Sequence, residues 1–347
     1  MSPALGHLRV PTRLLALLGV SAVVLASCGT AAVVAKTHLS GTPAISFSVP
    51  LSEISCTLND ACVAVGTATD GDGPTSIAEF SSPKGNWFNL PIPATFPTLL
   101  SSVACSGAQC LLGGSRPGQD LLFTFDSHGH TLTSVVPPTG GIGISALTCN
   151  ATTCALIDTS TTGVPRFSVS SNEGTTWSDP TPIAWAKREA VTAFTCGSAL
   201  ECALGVLSAT HAFSLYVTTD GGATWNESTT PSAWTSLTSL SCVNERCVGL
   251  ASTGSSSLIV RSKTFTRTWK SAKLAQPTAA LACFTFSRCV AVGQRSTAKP
   301  WLATIDNDSA TDVDLRYVPS PLLDVACGSK VCAAIGVTTL VNVPAPA

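Results

Sequence analysis

Fourteen of the fifteen cysteines in this 347-residue chain fall into seven close pairs at a nearly constant period, and few folds accommodate such an arrangement. The pairs are Cys56 with Cys62, Cys105 with Cys110, Cys149 with Cys154, Cys196 with Cys202, Cys242 with Cys247, Cys283 with Cys289, and Cys327 with Cys332. Each first cysteine ends an alternating or apolar run, and each second cysteine starts another, as in EISC then CVAVG or SLSC then CVGL. First cysteines stand 49, 44, 47, 46, 41 and 44 residues apart. That period suits one four-stranded propeller blade. Leucine-rich and hexapeptide solenoids have shorter periods, and paired-helix repeats show a 3.6-residue periodicity that these segments lack. The expectation is an all-β, seven-bladed propeller over residues 42–347, with one stapled hairpin per blade.

The fifth repeat shows how strands are placed. LTSLSC (237–242) reads as the inner strand, VNER as a tight turn, CVGLAST (247–253) as the second strand, SSLIVRS (256–262) as the third and TWKSAK (268–273) as the outer one. Four or five residues between paired cysteines suit a hairpin loop. In a non-hydrogen-bonded antiparallel pair the α-carbons approach to about 4.5 Å, within disulfide reach. Each bridge is therefore expected inside its own blade. A loop so short gives roughly 2 kcal/mol per bridge in the chain-entropy treatment. Neither the four- or five-residue spacing nor the scarcity of histidine, five in all, supports a metal cluster or redox pair.

The fifteenth cysteine has a different context. Arg9 and Arg13 precede an uncharged, apolar run from Leu14 to Ala26, too short to span a bilayer but of signal-peptide length. The run ends Leu25-Ala26-Ser27-Cys28, which resembles the bacterial lipobox. That resemblance implies a signal peptide over residues 1–27, cleavage before Cys28, a lipid on its thiol, and a tether over residues 28–41. Acyl chains contribute roughly 0.8 kcal/mol per buried methylene, enough for two or three to anchor a protein. The expected location is the cell envelope, on a membrane and outside the cytoplasm; Gly29 after the cysteine leans, by the same resemblance, toward outer-membrane sorting where a second membrane exists. Cysteine-rich exported chains usually carry disulfides, in agreement. With 19 Lys and Arg against 20 Asp and Glu, no charge footprint for nucleic acid is present.

A second motif lies between the third and fourth strands of some repeats. SSNEGTTW (170–177) and TTDGGATW (218–225) resemble the Asp-box, or bacterial neuraminidase repeat, with pattern S/T-x-D-x-G-x-T-W. Weaker echoes are SSPKGNW (81–87), SKTFTRTW (262–269) and the turn from Asp126 to Gly129. The Asp or Asn is expected to bond the turn's own backbone, the Gly to take positive φ, and the Trp to pack between blades. The resemblance implies kinship of repeat type with sialidases, sortilin-like receptors and photosystem II assembly factors, not a shared activity. Ring closure is expected from PAISFSVP (43–50), the natural outer strand of a last blade whose remaining LVNVPAPA cannot supply two.

Function has to come from a site, since a propeller implies none. A sialidase-like enzyme needs an arginine cluster and a Tyr–carboxylate pair. This chain has Tyr216 and Tyr317 alone, the former expected on a third strand away from the channel, and VPRF (164–167) has FRIP-like letters in the wrong order. A non-enzymatic scaffold for a protein or glycan partner is expected, with a sialidase-like glycan enzyme as the alternative. Among candidate binders, Trp185 and Trp234 lie in connections between blades, Phe96 occupies a comparable place, and Lys187, Arg188 and Arg295 are candidate neighbours on that face. The same aromatics could instead cap blade interfaces. Asp70 and Asp72, in a Gly-rich loop, could hold Ca²⁺, though Asp and Gly also simply make turns. No other cofactor is expected.

Overall fold

The computed structural model describes residues 45–46 and 50–344, apart from 71–72, 83–85, 94–97, 108, 128–129, 184, 186–188, 244–245, 266–267, 296, 316–317 and 338. The leader, Cys28 and the tether lie outside the described residues. After β1 (Ile45–Ser46), the first blade is β2 (Leu51–Cys56), β3 (Cys62–Asp70), β4 (Gly73–Ser81) and β5 (Trp87–Asn89). The second is β6 (Leu99–Ser106), β7 (Gln109–Arg116), β8 (Gln119–Asp126) and β9 (Thr131–Ser134). The third is β10 (Gly141–Asn150), β11 (Thr153–Ser160), β12 (Pro165–Ser170) and β13 (Thr181–Pro182). The fourth is β14 (Ala190–Cys196), β15 (Cys202–Leu207), β16 (Phe213–Thr218) and β17 (Asn226–Ser228). The fifth is β18 (Ser236–Val243), β19 (Arg246–Ser252), β20 (Ser257–Ser262) and β21 (Lys270–Lys273). The sixth is β22 (Thr278–Cys283), β23 (Arg288–Gln294), β24 (Pro300–Asp306) and β25 (Ser309–Asp312). The last is β26 (Leu322–Cys327), β27 (Val331–Gly336) and β28 (Thr339–Pro344), on which β1 adds as the outer strand, Ile45 opposite Leu340. Seven antiparallel four-stranded sheets result, closed by the N-terminal strand as expected. Among the described residues no helix is long and apolar enough to cross a membrane.

Each expected cysteine pair is bridged across the first hairpin of its own blade. Cys56 bonds Cys62, Cys105 bonds Cys110, Cys149 bonds Cys154 and Cys196 bonds Cys202. Cys242 bonds Cys247, Cys283 bonds Cys289 and Cys327 bonds Cys332. Their α-carbons stand 3.9 to 4.1 Å apart, closer than an unbridged cross-strand pair. The second cysteine of every pair is at most 1% exposed. It packs in a cluster shared with the preceding blade: Cys110 with Val63 and Phe80, Cys154 with Leu111, and Cys202 with Phe167. The same holds for Cys247 with Leu215, Cys289 with Leu250, Cys332 with Leu302, and across the closure Cys62 with Ile335. The hydrophobic core is thus seven clusters, one per blade interface, and the second strands are buried on both faces. That is why they read as continuous apolar runs rather than alternations.

The inner strands carry two regularities that sequence reading missed. Every one has a register shift flanking the residue four before its first cysteine, which makes a bulge at Ser52, Ser101, Ser145, Thr192, Thr238, Ala279 and Leu323. Polar side chains beyond the bulge then accept hydrogen bonds from the backbone of the next blade. Three residues before the cysteine, Ser102 Oγ accepts from Leu147 N (2.9 Å), Ser239 Oγ from Leu281 N (3.2 Å) and Asp324 Oδ2 from Ile54 N (3.1 Å). One residue before it, Ser55 accepts from Cys105 N (3.0 Å) and Thr195 from Cys242 N (3.3 Å). An inner strand has a sheet partner on one side only, so these side chains satisfy backbone N–H groups that would otherwise stay unpaired.

Candidate functional site

Strand alternation puts the cysteine turns and the third-to-fourth-strand turns on one face, and the remaining connections on the other. The first face is stitched by repeated bonds. Glu173 N donates to Thr152 O (2.8 Å), Gly221 N to Leu200 O (3.0 Å) and Asn307 N to Ser287 O (2.7 Å), each joining the two turns of one blade. Between blades, Asn150 Nδ2 donates to Gly197 O at 3.1 Å. Across the closure, Asp60 Oδ1 accepts from Lys330 N (2.8 Å) and Val331 N (3.2 Å).

The two Asp-box-like turns share one bonding scheme. In the third blade, Ser170 Oγ accepts from Gly174 N (2.9 Å), and Asn172 Oδ1 accepts from the Ser170 hydroxyl and from Thr176 N, both at 2.9 Å. In the fourth, Thr218 Oγ1 accepts from Gly222 N (2.9 Å), while Asp220 accepts from the Thr218 hydroxyl (2.7 Å), Thr224 N (2.9 Å) and the Thr224 hydroxyl (2.6 Å). Those donors, the Thr224 hydroxyl foremost, pull the Asp220 pKa down to about 2. Gly174 and Gly222 have φ of 83° and 88°, as such a turn requires. Trp87, Trp177, Trp225 and Trp269 all pack into the interface with the preceding blade, including the two in weaker copies of the motif.

The opposite face is built from the connections between blades and the second-to-third-strand turns. Trp185 lies there, half-buried, stacked on Tyr216 with centroids 3.7 Å apart. Tyr216 is on β16, the third strand of its blade, as expected. Burial, then the carboxylates of Glu227 and Glu189, push its pKa up. Trp234 does not share that exposure. It is 6% exposed and packs edge-on against Trp269 at 5.4 Å, so the expectation that it offers its ring to a ligand is corrected: it caps the interface of the fourth and fifth blades. Arg295 follows β23 and donates to Asp312 Oδ2 at 2.8 Å, and the other oxygen of that carboxylate accepts from Trp301 Nε1 at 2.8 Å. Phe96, Lys187, Arg188, Tyr317 and Asp72 lie outside the described residues, as does the side chain of Asp70, whose backbone ends β3. A groove of about 330 Å³ on this face, between the β19–β20 turn of the fifth blade and the connection that leaves β21, is lined by Ser252, Ser255, Ser256, Lys273 and Gln276.

No protein family and no curated protein matches the chain. Solved structures do. YCF48 bound to a D1 peptide superposes with a TM-score of 0.61 at 12% identity, covering 90% of this chain and 98% of that one. YCF48 from Cyanidioschyzon merolae gives 0.60 at 10% identity over 87% and 98%. The GH74 xyloglucanase from Xanthomonas campestris gives 0.61 at 12% identity over 86% of this chain but 52% of that one, so the chain spans about half that enzyme's length. At such identities the likeness is one of architecture, and by fold this chain is a β-propeller.

Proposed function

We propose that this chain is a non-enzymatic binding scaffold, carried on a membrane by a lipid on Cys28, which presents its loop face to a protein or glycan partner outside the cytoplasm. The carrying observation is the asymmetry of the two faces. One repeats the same disulfides and, where the Asp-box recurs, the same side-chain bonds; the other varies from blade to blade and holds the half-buried Trp185–Tyr216 stack. Loops on a rigid scaffold are where binding resides in such architectures. YCF48 has been solved with a D1 peptide, which supports a peptide segment as the kind of ligand. The lipobox resemblance of Leu25-Ala26-Ser27-Cys28 supports the anchor.

The glycan-enzyme alternative draws on the GH74 likeness. Against a sialidase-like mechanism, the surroundings of Tyr216 raise its pKa, whereas a phenol acting as nucleophile has to lose its proton. An affinity capture from native membranes with wild type and Trp185→Ala, run beside xyloglucan and sialoside turnover assays, separates the readings. A partner lost with Trp185 and no turnover supports the scaffold; turnover of either glycan overturns it. Radiolabelled palmitate should enter wild type and not Cys28→Ala, and equal labelling removes the anchor. Calcium at Asp70 and Asp72 is tested by Ca²⁺-dependent melting that Asp72→Asn abolishes.

A further inference from the structure

The joint between the second and third blades encloses a buried acidic pair. Asp158, near the end of β11, is fully buried, and its two oxygens accept from Arg166 Nε and Nη2, each at 2.7 Å. Arg166 Nη1 donates to Thr139 O at 2.9 Å, so the guanidinium is committed to this carboxylate and the connection beside it. Asp120, in β8, is 5% exposed, and neither of its oxygens makes a well-formed hydrogen bond. Its carboxyl lies in the space of a missing side chain: an ideal Cβ on Gly141 would stand 1.7 Å from Asp120 Oδ2.

The charged groups facing Asp120 are Asp158 from β11 and Arg166 from β12, while β10 brings only the Gly143 N–H. On β7, Arg116 is turned away onto the side chain of Gln119. Two carboxylates and one guanidinium leave a negative charge uncompensated where water cannot reach it, an arrangement that is strongly unfavourable if all are ionised. A divalent cation would have to sit beside the guanidinium and part Asp120 from Gly141. A proton needs no room, and it lets Asp120, whose oxygens have no donor, become the donor to the carboxylate that Arg166 already holds.

We propose that Asp120 is a buried proton site: its carboxyl is held as the neutral acid, shares its proton with Asp158, and on losing it parts the second and third blades at the loop face. Burial, then the charge of Asp158, raise the Asp120 pKa from 3.8 to about 7, with the Gly143 N–H and Arg166 opposing in part. A pKa raised on folding stabilises fully below the unfolded value of 3.8, and the stabilisation is lost as pH rises through about 7.

Asp120→Asn keeps the shape and a donor without a charge to lose. Melting temperatures and hydrogen exchange of residues 119–122 and 141–144 are to be followed from about pH 5 to about pH 9, with exchange corrected for its intrinsic pH dependence. Wild type should lose melting temperature as pH rises toward about 7 and level off above it, and should exchange severalfold faster at both segments once above neutrality, and Asp120→Asn should do neither. Parallel pH profiles of the two proteins overturn the proposal. So does protection of wild type by Ca²⁺ or Mg²⁺ at alkaline pH, which would assign the site to a metal. Should the variant not fold, ¹³C-carboxyl titration of wild type decides: a buried aspartyl titrating near neutrality supports the site, and none above about pH 5 sinks it.

Discussion

An ideal Cβ on Gly222, in the fourth blade, would stand 2.3 Å from Cδ1 of Phe167 in the third. The same contact recurs one blade earlier, where a Cβ on Gly174 would stand 2.6 Å from Leu111. The glycines of the Asp-box-like turns therefore do two things, taking φ near 85° within their own blade and seating the core side chain of the preceding one. Gly222→Ala should destabilise by at least about 2 kcal/mol, combining overpacking with the left-handed backbone. Alanine at the exposed Gly254, which has φ 75° but nothing within 4 Å, should lose the backbone part alone. Urea denaturation of both variants checks the difference.

The neighbouring acid gives a pH test. Asp220 has a pKa of about 2 in the fold against 3.8 ordinarily, so its contribution is complete above about pH 4 and is lost as pH falls toward 2. Asp220→Asn should keep the turn, because Asn172 accepts the equivalent bonds in the third blade, and should blunt the acid loss. Asp220→Ala should lose stability at all pH values. Acid melts of the three proteins would show it.

Ring closure rests on more than β1. Asp60 holds the cysteine turn of the last blade by two backbone N–H groups, from a φ of 64° that its own turn imposes. Asp60→Gly relaxes the backbone and removes the acceptor, so it should cost about 1 to 2 kcal/mol, and Asp60→Ala more. Hydrogen exchange at residues 328–332 should quicken in both, while the third to fifth blades stay unchanged.

Trp185 and Trp234 should part company under mutation. Trp234→Ala empties a buried interface and should cost about 3 to 5 kcal/mol, and Trp225→Ala, which removes a half-buried ring edge-on to Phe167, should cost less. Trp185→Ala removes a half-buried ring that stacks on Tyr216 and packs against the interface of the third and fourth blades, so it should cost less stability than Trp234→Ala and weaken a captured partner by more than about 1 kcal/mol. Melts and a binding isotherm run on the same preparations distinguish the two residues.

What the sequence by itself determined is local to a blade. The cysteine spacing makes a hairpin disulfide, as between Cys149 and Cys154 or Cys242 and Cys247, and the period makes a four-stranded unit. The SSNEGTTW and TTDGGATW turns form because their bonds run between residues two to four apart. Even in the fifth blade the strands fall where read, except that β21 begins at Lys270, because Trp269 turns inward to Trp234 instead of joining the strand. What only the tertiary structure decided lies between blades. That Cys332 would meet Leu302 of the sixth blade, for instance, is written in no spacing. PIAWAKREA and PSAWTSL look alike as sequence, yet one tryptophan is half-buried against Tyr216 and the other is closed off by Trp269 of its own interface cluster. Asp120, Asp158 and Arg166 sit on three strands with no shared motif, and the inner-strand acceptors Ser102, Ser239 and Asp324 bond to residues of the next blade in the ring. Local spacing specifies a turn because its partners are tethered by a few bonds of chain. Burial and charge pairing depend on what the neighbouring blade brings alongside, and that is set by the packing of one sheet on the next.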